Sequence, residues 1–163
     1  MSISIETCTP DDVAPIAGLW MCMMEEHRGF ESRLQLSELA ESAYKNYLSI
    51  QVRSRRSRVL IARDGDEIVG FICGYIAQNL PMFLPSEFGY ISDLYVISSR
   101  RSSGLGRKLV DEMHDWFDQE GIDCTQLQVY RANGDGHAFW NRMGYEAFFD
   151  RMWRDGNSDE NKE

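Results

Sequence analysis

A mixed α+β domain around one mainly antiparallel sheet is the fold class that this 163-residue sequence predicts. Three observations carry it. Short apolar runs of strand character alternate with longer stretches of helical period, in the order β-α-α-β-β-β-α-β-α-β. Asp64-Gly65-Asp66 stands between two apolar runs, the signature of a tight hairpin and so of antiparallel pairing. Finally, residues 88–96, a long amphipathic stretch and residues 126–130 form a strand–helix–strand unit. Its strands should lie parallel with a right-handed crossover.

Each element has its own signal. Residues 3–7 alternate apolar and polar and read as a short strand. Thr9-Pro10-Asp11-Asp12 starts a helix: a capping-type residue, a proline and two acids fit the electropositive first turn. Val13, Ile16, Ala17, Trp20, Met21 and Met24 then recur at helical spacing until about Arg28-Gly29. A second helix is predicted over 37–52, with Ser37 as N-cap and Leu39, Ala43, Tyr47 and Ile50 on its apolar side. Between these helices, Glu25, Glu26, His27, Phe30 and Glu31 suit either a pocket for an amine or an ordinary connector.

Strands are predicted over 58–63 and 67–77, with Gly70 and Gly74 marking a bulge or a close backbone contact. Residues 79–87 read as a loop whose Leu80, Met82, Phe83 and Leu84 should fold over something. Leu105, Leu109, Val110, Met113, Trp116 and Phe117 give the helix over 104–120 a clear apolar stripe, ended by Gly121. A strand over 126–130, a short helix over 137–143 stopped by Gly144, and a last strand over 145–153 complete the body. Residues 1–154 are expected to form a single domain and 155–163 a polar, acidic tail.

Composition narrows the function. No apolar run approaches the ~20 residues that span a bilayer, and the N-terminus lacks the basic start and apolar run of a signal peptide. The expected location is the cytoplasm, with no membrane partner. A net charge of −9 disfavours nucleic acid, whose phosphates need a basic surface, and suits a cationic small molecule or an amine. The run Arg53, Arg55, Arg56 and Arg58 reads as a solvated helix end with cations near the negative dipole pole. Cys8, Cys22, Cys73 and Cys124 are scattered, form no Cys-x-x-Cys pair and stand beside no histidine at ligand spacing. They read as reduced, mostly buried thiols, and no metal is expected.

The chemistry concentrates in residues 90–107, where a strand enters a helix through Arg101-Ser102-Ser103-Gly104-Leu105-Gly106. The first N–H groups of a helix lack intrahelical partners, the dipole adds partial positive charge, and glycine lets a phosphate approach the main chain. Arg100, Arg101, Arg107 and Lys108 surround this point. Two readings stand here: a phosphate-binding turn, or an ordinary strand-to-helix turn with a solvated basic patch. The chain has no Gly-x-x-x-x-Gly-Lys-Ser/Thr, which argues against a P-loop nucleotide site. Asp93, inside a half-buried strand, is either a functional group of shifted pKa or a satisfied structural acid. Glu87 stands at that strand's entrance. His114, within the long helix, reads as surface or core filler.

Arg101-x-x-Gly104-x-Gly106, followed at matching separation by Asn133, Trp140 and Gly144-Tyr145, resembles the GCN5-related N-acetyltransferase (GNAT) superfamily. The element order over 3–153 matches as well. The resemblance implies a GNAT-like acyl-CoA N-acyltransferase fold, in which the one parallel strand pair splays apart. It implies acetyl-CoA or another acyl-CoA as donor. Backbone N–H groups of Arg101, Ser102, Ser103, Gly104, Leu105 and Gly106 would hold the diphosphate, with charge from Arg101 and Arg107. The backbone of Leu94, Tyr95 and Val96 would pair with the pantetheine arm, and an N–H near Val96 would stabilise the developing oxyanion. Asn133 would bond the arm, and Trp140 would stand beside it.

The implied activity is acetyl transfer from acetyl-CoA to a primary amine, small-molecule or peptidyl, by direct attack. Asp93, Glu87 and Tyr130 are the candidate catalytic residues. His137, near the expected thiol end, and His27, on the acceptor side, are further candidates. Two positions depart from the family pattern. Trp140 stands where a tyrosine acid is common, and Gln128 where some members carry a catalytic glutamate. These departures keep a second reading open, a noncatalytic acyl-CoA-binding or sensor module on the same fold. The resemblance also allows a homodimer through the late strands.

Overall fold

The computed structural model describes residues 2–156. Its strands and helices are β1 (Ser4–Thr7), α1 (Val13–Arg28), α2 (Ala40–Arg53), β2 (Ser57–Asp64), β3 (Glu67–Gln78), β4 (Glu87–Val96), α3 (Leu105–Gln119), β5 (Thr125–Gln126) and α4 (Gly134–Arg142). Single 3-10 turns occupy Pro10–Asp12 and Ser98–Arg100. The chain divides after Asn133 into two compact units. The first holds the sheet with α1, α2 and α3, and the second holds α4. Among the described residues, no helix is long and apolar enough to cross a membrane.

The sheet runs β1-β2-β3-β4-β5. Its first four strands are antiparallel neighbours and β5 is parallel to β4. The Asp-Gly hairpin forms as expected: Asp64 pairs with Glu67, leaving Gly65 and Asp66 as the loop, with Gly65 at φ +62. One sheet face, with Val59, Ile61, Phe71, Cys73 and Tyr95, joins the core formed with Val13, Ile16, Ala17 and Met24 of α1 and Leu48 of α2. The other face carries α3, whose predicted stripe is buried at all six positions. At the start of α1, Asp12 accepts hydrogen bonds from the Thr9 N–H and hydroxyl (2.8 Å each) and an ion pair from Arg63 (2.7 Å).

The glycines of the central strands set how closely α3 can approach. A Cβ on Gly74 would lie 2.8 Å from the Met113 sulfur, and one on Gly89 would lie 2.8 Å from the Phe117 ring. The β3–β4 register shifts between Cys73 and Gly74: Cys73 pairs with Asp93 but Gly74 with Ile91, so Ser92 is the extra residue of a bulge on β4. The expected irregularity near Gly74 is therefore real, and it lies beside Asp93.

Several expectations need correction. The strand expected over 126–130 is only Thr125–Gln126, because α3 and its exit loop bring the chain alongside β4 for two residues before it departs. No strand forms over 145–153 among the described residues, and Phe148, Phe149, Met152 and Trp153 are exposed. Helix α2 starts at Ala40 rather than at a Ser37 cap, after a turn in which the Ala40 N–H donates to the Ser37 carbonyl (3.1 Å). Its buried side is Tyr44 and Leu48, not the predicted Leu39, Ala43 and Ile50, which are exposed. Sparse apolar spacing permits both phasings, and stacking of Tyr44 on Trp20 (centroids 4.3 Å apart, 8° between planes) goes with the observed one. The apolar loop after β3 covers nothing here: Leu80, Met82, Phe83 and Leu84 are exposed, Leu84 at 92%. Cys22 is exposed, while Cys8 and Cys73 are buried. Residues 157–163 of the expected tail lie outside the described residues.

Gly89→Ala should destabilise the fold by about 1–3 kcal/mol, since the Phe117 ring it would strike is fully buried and cannot withdraw. Urea melts check this, and Phe117→Leu in the same chain should recover part of the loss.

Candidate functional site

The glycine turn joins the end of β4 to the start of α3. Gly104 caps α3 in the left-handed region at φ +81, and Ser102 is also left-handed at φ +61. A non-glycine residue held there costs about 1–3 kcal/mol, and such residues gather at ligand clamps. Inside the turn, the Ser103 hydroxyl donates to the Arg100 carbonyl (2.7 Å). The first helical N–H to find a backbone acceptor within α3 is that of Lys108, bonded to the Gly104 carbonyl (3.1 Å). The N–H groups of the preceding helical residues, from Leu105 to Arg107, fall in the first turn, where a helix provides no acceptor. An added Cβ on Gly104 would meet nothing within 4 Å, so the space in front of the turn is open.

Strand β4 supplies a second set of polar groups. β5 pairs with it only at Gly89 and Tyr90, so residues 91–96 have no β5 neighbour. The Ile97 N–H donates to the Val69 carbonyl (3.0 Å), which makes Tyr95 the next β4 residue bonded to β3. The alternation turns the main-chain groups of Leu94 and Val96 away from β3, toward the side that β5 has left. Tyr95, the third of the predicted trio, spends its main chain on β3.

The arginines of the turn are largely committed to carboxylates. Arg101 grips Glu26 at the end of α1 with one guanidinium nitrogen (2.8 and 2.9 Å), and its Nε donates to the Val96 carbonyl (2.8 Å). The same guanidinium lies 5.3 Å from the centre of the Tyr95 ring, and the Tyr95 hydroxyl donates to Glu26 (3.0 Å). Burial works to raise the Glu26 carboxyl, but the bonds from Arg101 and Tyr95 outweigh it and hold it below its ordinary value. Burial and the Glu26 bond push the Tyr95 hydroxyl up to about 12. Arg100 pairs with Asp64, and Arg107 faces Asp111 at 3.7 Å on an exposed helix turn.

Next to Glu26, His27 packs edge-on against Tyr130 (centroids 5.4 Å apart) and near Phe30 (6.1 Å). Burial lowers the imidazole pKa despite the opposing charge of Glu26. The Asn133 N–H donates to the Tyr130 carbonyl (2.9 Å), which closes the turn after β5.

Asp93 sits at the bulge, facing the α1–α2 side. Its carboxylate accepts from the Ser92 hydroxyl (2.8 Å) and, at the long limit, from the Tyr44 hydroxyl (3.5 Å). Burial raises its pKa against the hydrogen bonds from Ser92, Trp20 and Tyr44. Beside it the buried Cys73 thiol is pushed up to about 12 by its own burial and by the Asp93 charge. Tyr47, and the Tyr75–Tyr90 ring pair (5.4 Å), extend this aromatic wall along the same sheet face.

Thus the structure brings Leu94, Val96 and the turn 101–106 to one corner, and joins to them, through α1, Tyr95, Glu26, His27 and Tyr130. Glu87 is set apart: its carboxylate pairs with Arg56 (2.6 Å) at the far end of β4, six residues or roughly 20 Å of strand from Asp93. His114 is half-buried on α3, away from this corner. In the second unit, Gly144 (φ +91) ends α4 with the bonds Gly144 N–H to Asn141 (3.1 Å) and Tyr145 N–H to Trp140 (3.0 Å), and the Trp140 and Tyr145 rings meet edge to face at 5.1 Å. That is a Schellman ending with its apolar contact, a local role for three residues of the second motif. Sequence reasoning missed Tyr44 and the pairing role of Glu26. Tyr44 could have been found from the alternative phasing of α2, whereas nothing local in the sequence pairs Glu26 with Arg101. Among the described residues, no group of three or more His, Cys, Asp or Glu side chains could hold a metal ion.

A model of the acetyltransferase (GNAT) family matches residues 19–145. The chain is similar to the uncharacterized N-acetyltransferase YhfO of Bacillus subtilis, with 27% identity over 88% of this chain and 90% of the relative. It is also similar to the D-amino-acid N-acetyltransferase HPA3 of Saccharomyces cerevisiae, with 23% identity over 78% of each. Among solved structures, a mutant of the BH1408 protein from Bacillus halodurans superposes with a TM-score of 0.84 at 24% identity, covering 93% of this chain and 98% of that one. A predicted acetyltransferase from Clostridium acetobutylicum, crystallised with acetyl-CoA, superposes with a TM-score of 0.80 at 12% identity, covering 94% and 96%.

The raised pKa of Asp93 has a signed consequence for stability. The folded state holds this proton more tightly than the unfolded chain, whose reference value is 3.8. The group therefore favours folding below that value, and the contribution is lost as pH rises through the folded pKa. The stability of the wild type relative to Asp93→Asn should accordingly fall across that window in urea melts. A difference independent of pH would contradict the shift.

Proposed function

Because this chain belongs to the acetyltransferase (GNAT) family, we propose that it is an enzyme moving an acetyl group from acetyl-CoA to a primary amine of a small molecule or peptide. The observation that carries this reading is the corner where the outward main chain of Leu94 and Val96 meets the left-handed turn at Ser102 and Gly104. Acetyl-CoA supplies an activated thioester with a diphosphate and an amide-bearing arm. The N–H groups of Ser102, Ser103, Gly104, Leu105 and Gly106 suit the diphosphate, and Arg107 adds loose positive charge. The main chain of Leu94 and the Val96 N–H suit the arm as an added strand would, with the Val96 N–H near the thioester oxygen and the Val96 carbonyl held by Arg101. Asn133 stands further along this reading as a contact to the arm.

The reaction forms a C–N bond and breaks a C–S bond. The amine attacks as a free base, so one proton leaves nitrogen and the departing thiolate takes one up. Asp93 receives the first proton: its raised pKa makes the anion a stronger base than an ordinary aspartate, and it stands next to the bulge residue Ser92, whose hydroxyl donates to it. Tyr130, with its ring against His27, is the hydroxyl assigned to the thiolate. Glu87, held by Arg56, takes no step. The aromatic wall and the acidic surface favour a cationic or amphipathic acceptor, and the yeast relative's name adds amino acids to the screen.

A noncatalytic acyl-CoA module is the second reading, favoured by Gln128 and Trp140, which depart from the family pattern set out in the sequence analysis. Thiol release from acetyl-CoA with pooled amines separates the two, because coenzyme binding without turnover on any amine would favour the module.

Gly104→Asp is expected to abolish coenzyme binding in calorimetry while the circular dichroism stays that of a folded protein, since the added group meets open space but brings charge to the phosphates; the melting point should drop modestly, because a side chain at φ +81 costs about 1–3 kcal/mol. Unchanged affinity would remove the turn from the site. Asp93→Asn should lower kcat by about 100-fold or more with a smaller change in KM. Wild-type rates should climb as pH rises through the shifted carboxyl, because only its anion accepts a proton, and the variant should lose that limb. A wild-type pH–rate profile in the variant would exclude Asp93.

A further inference from the structure

The charge around the glycine turn is not available in the way the sequence suggests. Three of its four cations face carboxylates: Arg100 on Asp64, Arg101 on Glu26 and Arg107 near Asp111. The Arg101 pair differs from the other two in reach. It joins residues 75 positions apart, adds a bond from Nε to the Val96 carbonyl, and stacks on Tyr95, whose hydroxyl shares the same Glu26 oxygen. Glu26 thus gathers, on one carboxylate, a side chain from β4 and a side chain from the turn. Arg101 in turn holds the outward carbonyl at the end of β4.

We infer that Glu26 is a positioning residue for the coenzyme site: through Arg101 it fixes the turn 101–106 against the end of β4, so that main-chain N–H groups, not this guanidinium, bind the diphosphate. The inference rests on the coenzyme reading above. Its physical basis is geometric. A charge-assisted bridge with two guanidinium–carboxylate contacts, a backbone anchor and a ring beneath it restricts the arginine to one orientation. A turn holding two left-handed residues needs such an anchor to keep its N–H groups aimed. His27, the next residue, packs on Tyr130, so the same helix turn that holds the phosphate end also touches the proposed proton donor.

The opposite role for Arg101 makes an opposite prediction. Were the guanidinium itself a phosphate ligand, Glu26 would compete with the coenzyme, and removing its charge would tighten binding. Acetyl-CoA is titrated calorimetrically into the full-length wild type, Glu26→Gln, Arg101→Met, the double variant, and Glu41→Gln as a control from an exposed pair on α2. The positioning role predicts that Glu26→Gln weakens affinity by about fivefold to tenfold, the scale of a partly exposed charge-assisted bridge. Arg101→Met should do the same, the double variant no more than either, and the control should not change. KM for acetyl-CoA should rise in step while kcat at saturation stays within about twofold.

Tighter or unaltered binding in Glu26→Gln, or additive losses in the double variant, would overturn the inference. If wild type gives no binding heat, the coenzyme reading itself fails. Hydrogen exchange in the turn then still reads the pair: faster exchange of residues 101–106 in Glu26→Gln supports the clamp, and unchanged exchange sinks it.

Discussion

The arrangement depends on a pairing that stops early. β4 and β5 share two residues and then part, although β4 continues for six more. A sheet interior normally spends every main-chain donor and acceptor on a neighbour, and an unspent edge invites another strand. Here the unspent edge lies inside the fold, bordered by the turn that starts α3. The outward groups of Leu94, the Val96 N–H and the first-turn N–H groups of the helix start therefore open on the same space, while the Val96 carbonyl is held by Arg101. An extended, amide-bearing chain ending in a diphosphate is the ligand whose chemistry matches both.

The rest of the first unit keeps that space in shape. α3 runs from the turn across the sheet and lies close to it because Gly74 and Gly89 offer no Cβ to its Met113 and Phe117. On the opposite face, α1 brings its last turn to the same corner, where Glu26 meets Tyr95 and Arg101 and His27 meets Tyr130. The bulge at Ser92 turns Asp93 toward Tyr44 and Trp20, where burial makes the carboxyl a better proton acceptor than a surface aspartate. The proposed binding groups and the candidate base thus lie together on residues 93–96 of one strand, directly after the bulge at Ser92.

Local patterns made much of this legible. The Asp-Gly hairpin, the α3 stripe and the glycine turn are short-range signals, and each appears within a residue or two of its expected place. Long-range facts were not. The length of β5 depends on where α3 delivers the chain, so a run from 126 to 130 with good strand character pairs only at Thr125 and Gln126. The phase of α2 depends on Trp20 stacking on Tyr44, a contact between two helices that a weak stripe cannot announce. The sequence places Arg101 in the turn but says nothing of Glu26, 75 residues earlier, so a paired guanidinium looked like a free one. Phe148 and Phe149 looked like a final strand for the same reason: alternation shows a preference and not a partner.

Amide hydrogen exchange with and without acetyl-CoA tests the central claim most directly, because it reads main-chain groups one by one. The account predicts that the coenzyme slows exchange at the N–H groups of residues 102–106 and at those of Leu94 and Val96, while Tyr95, already bonded to β3, changes little. Protection that falls elsewhere on the sheet, or none at the turn and the outer half of β4, would contradict it.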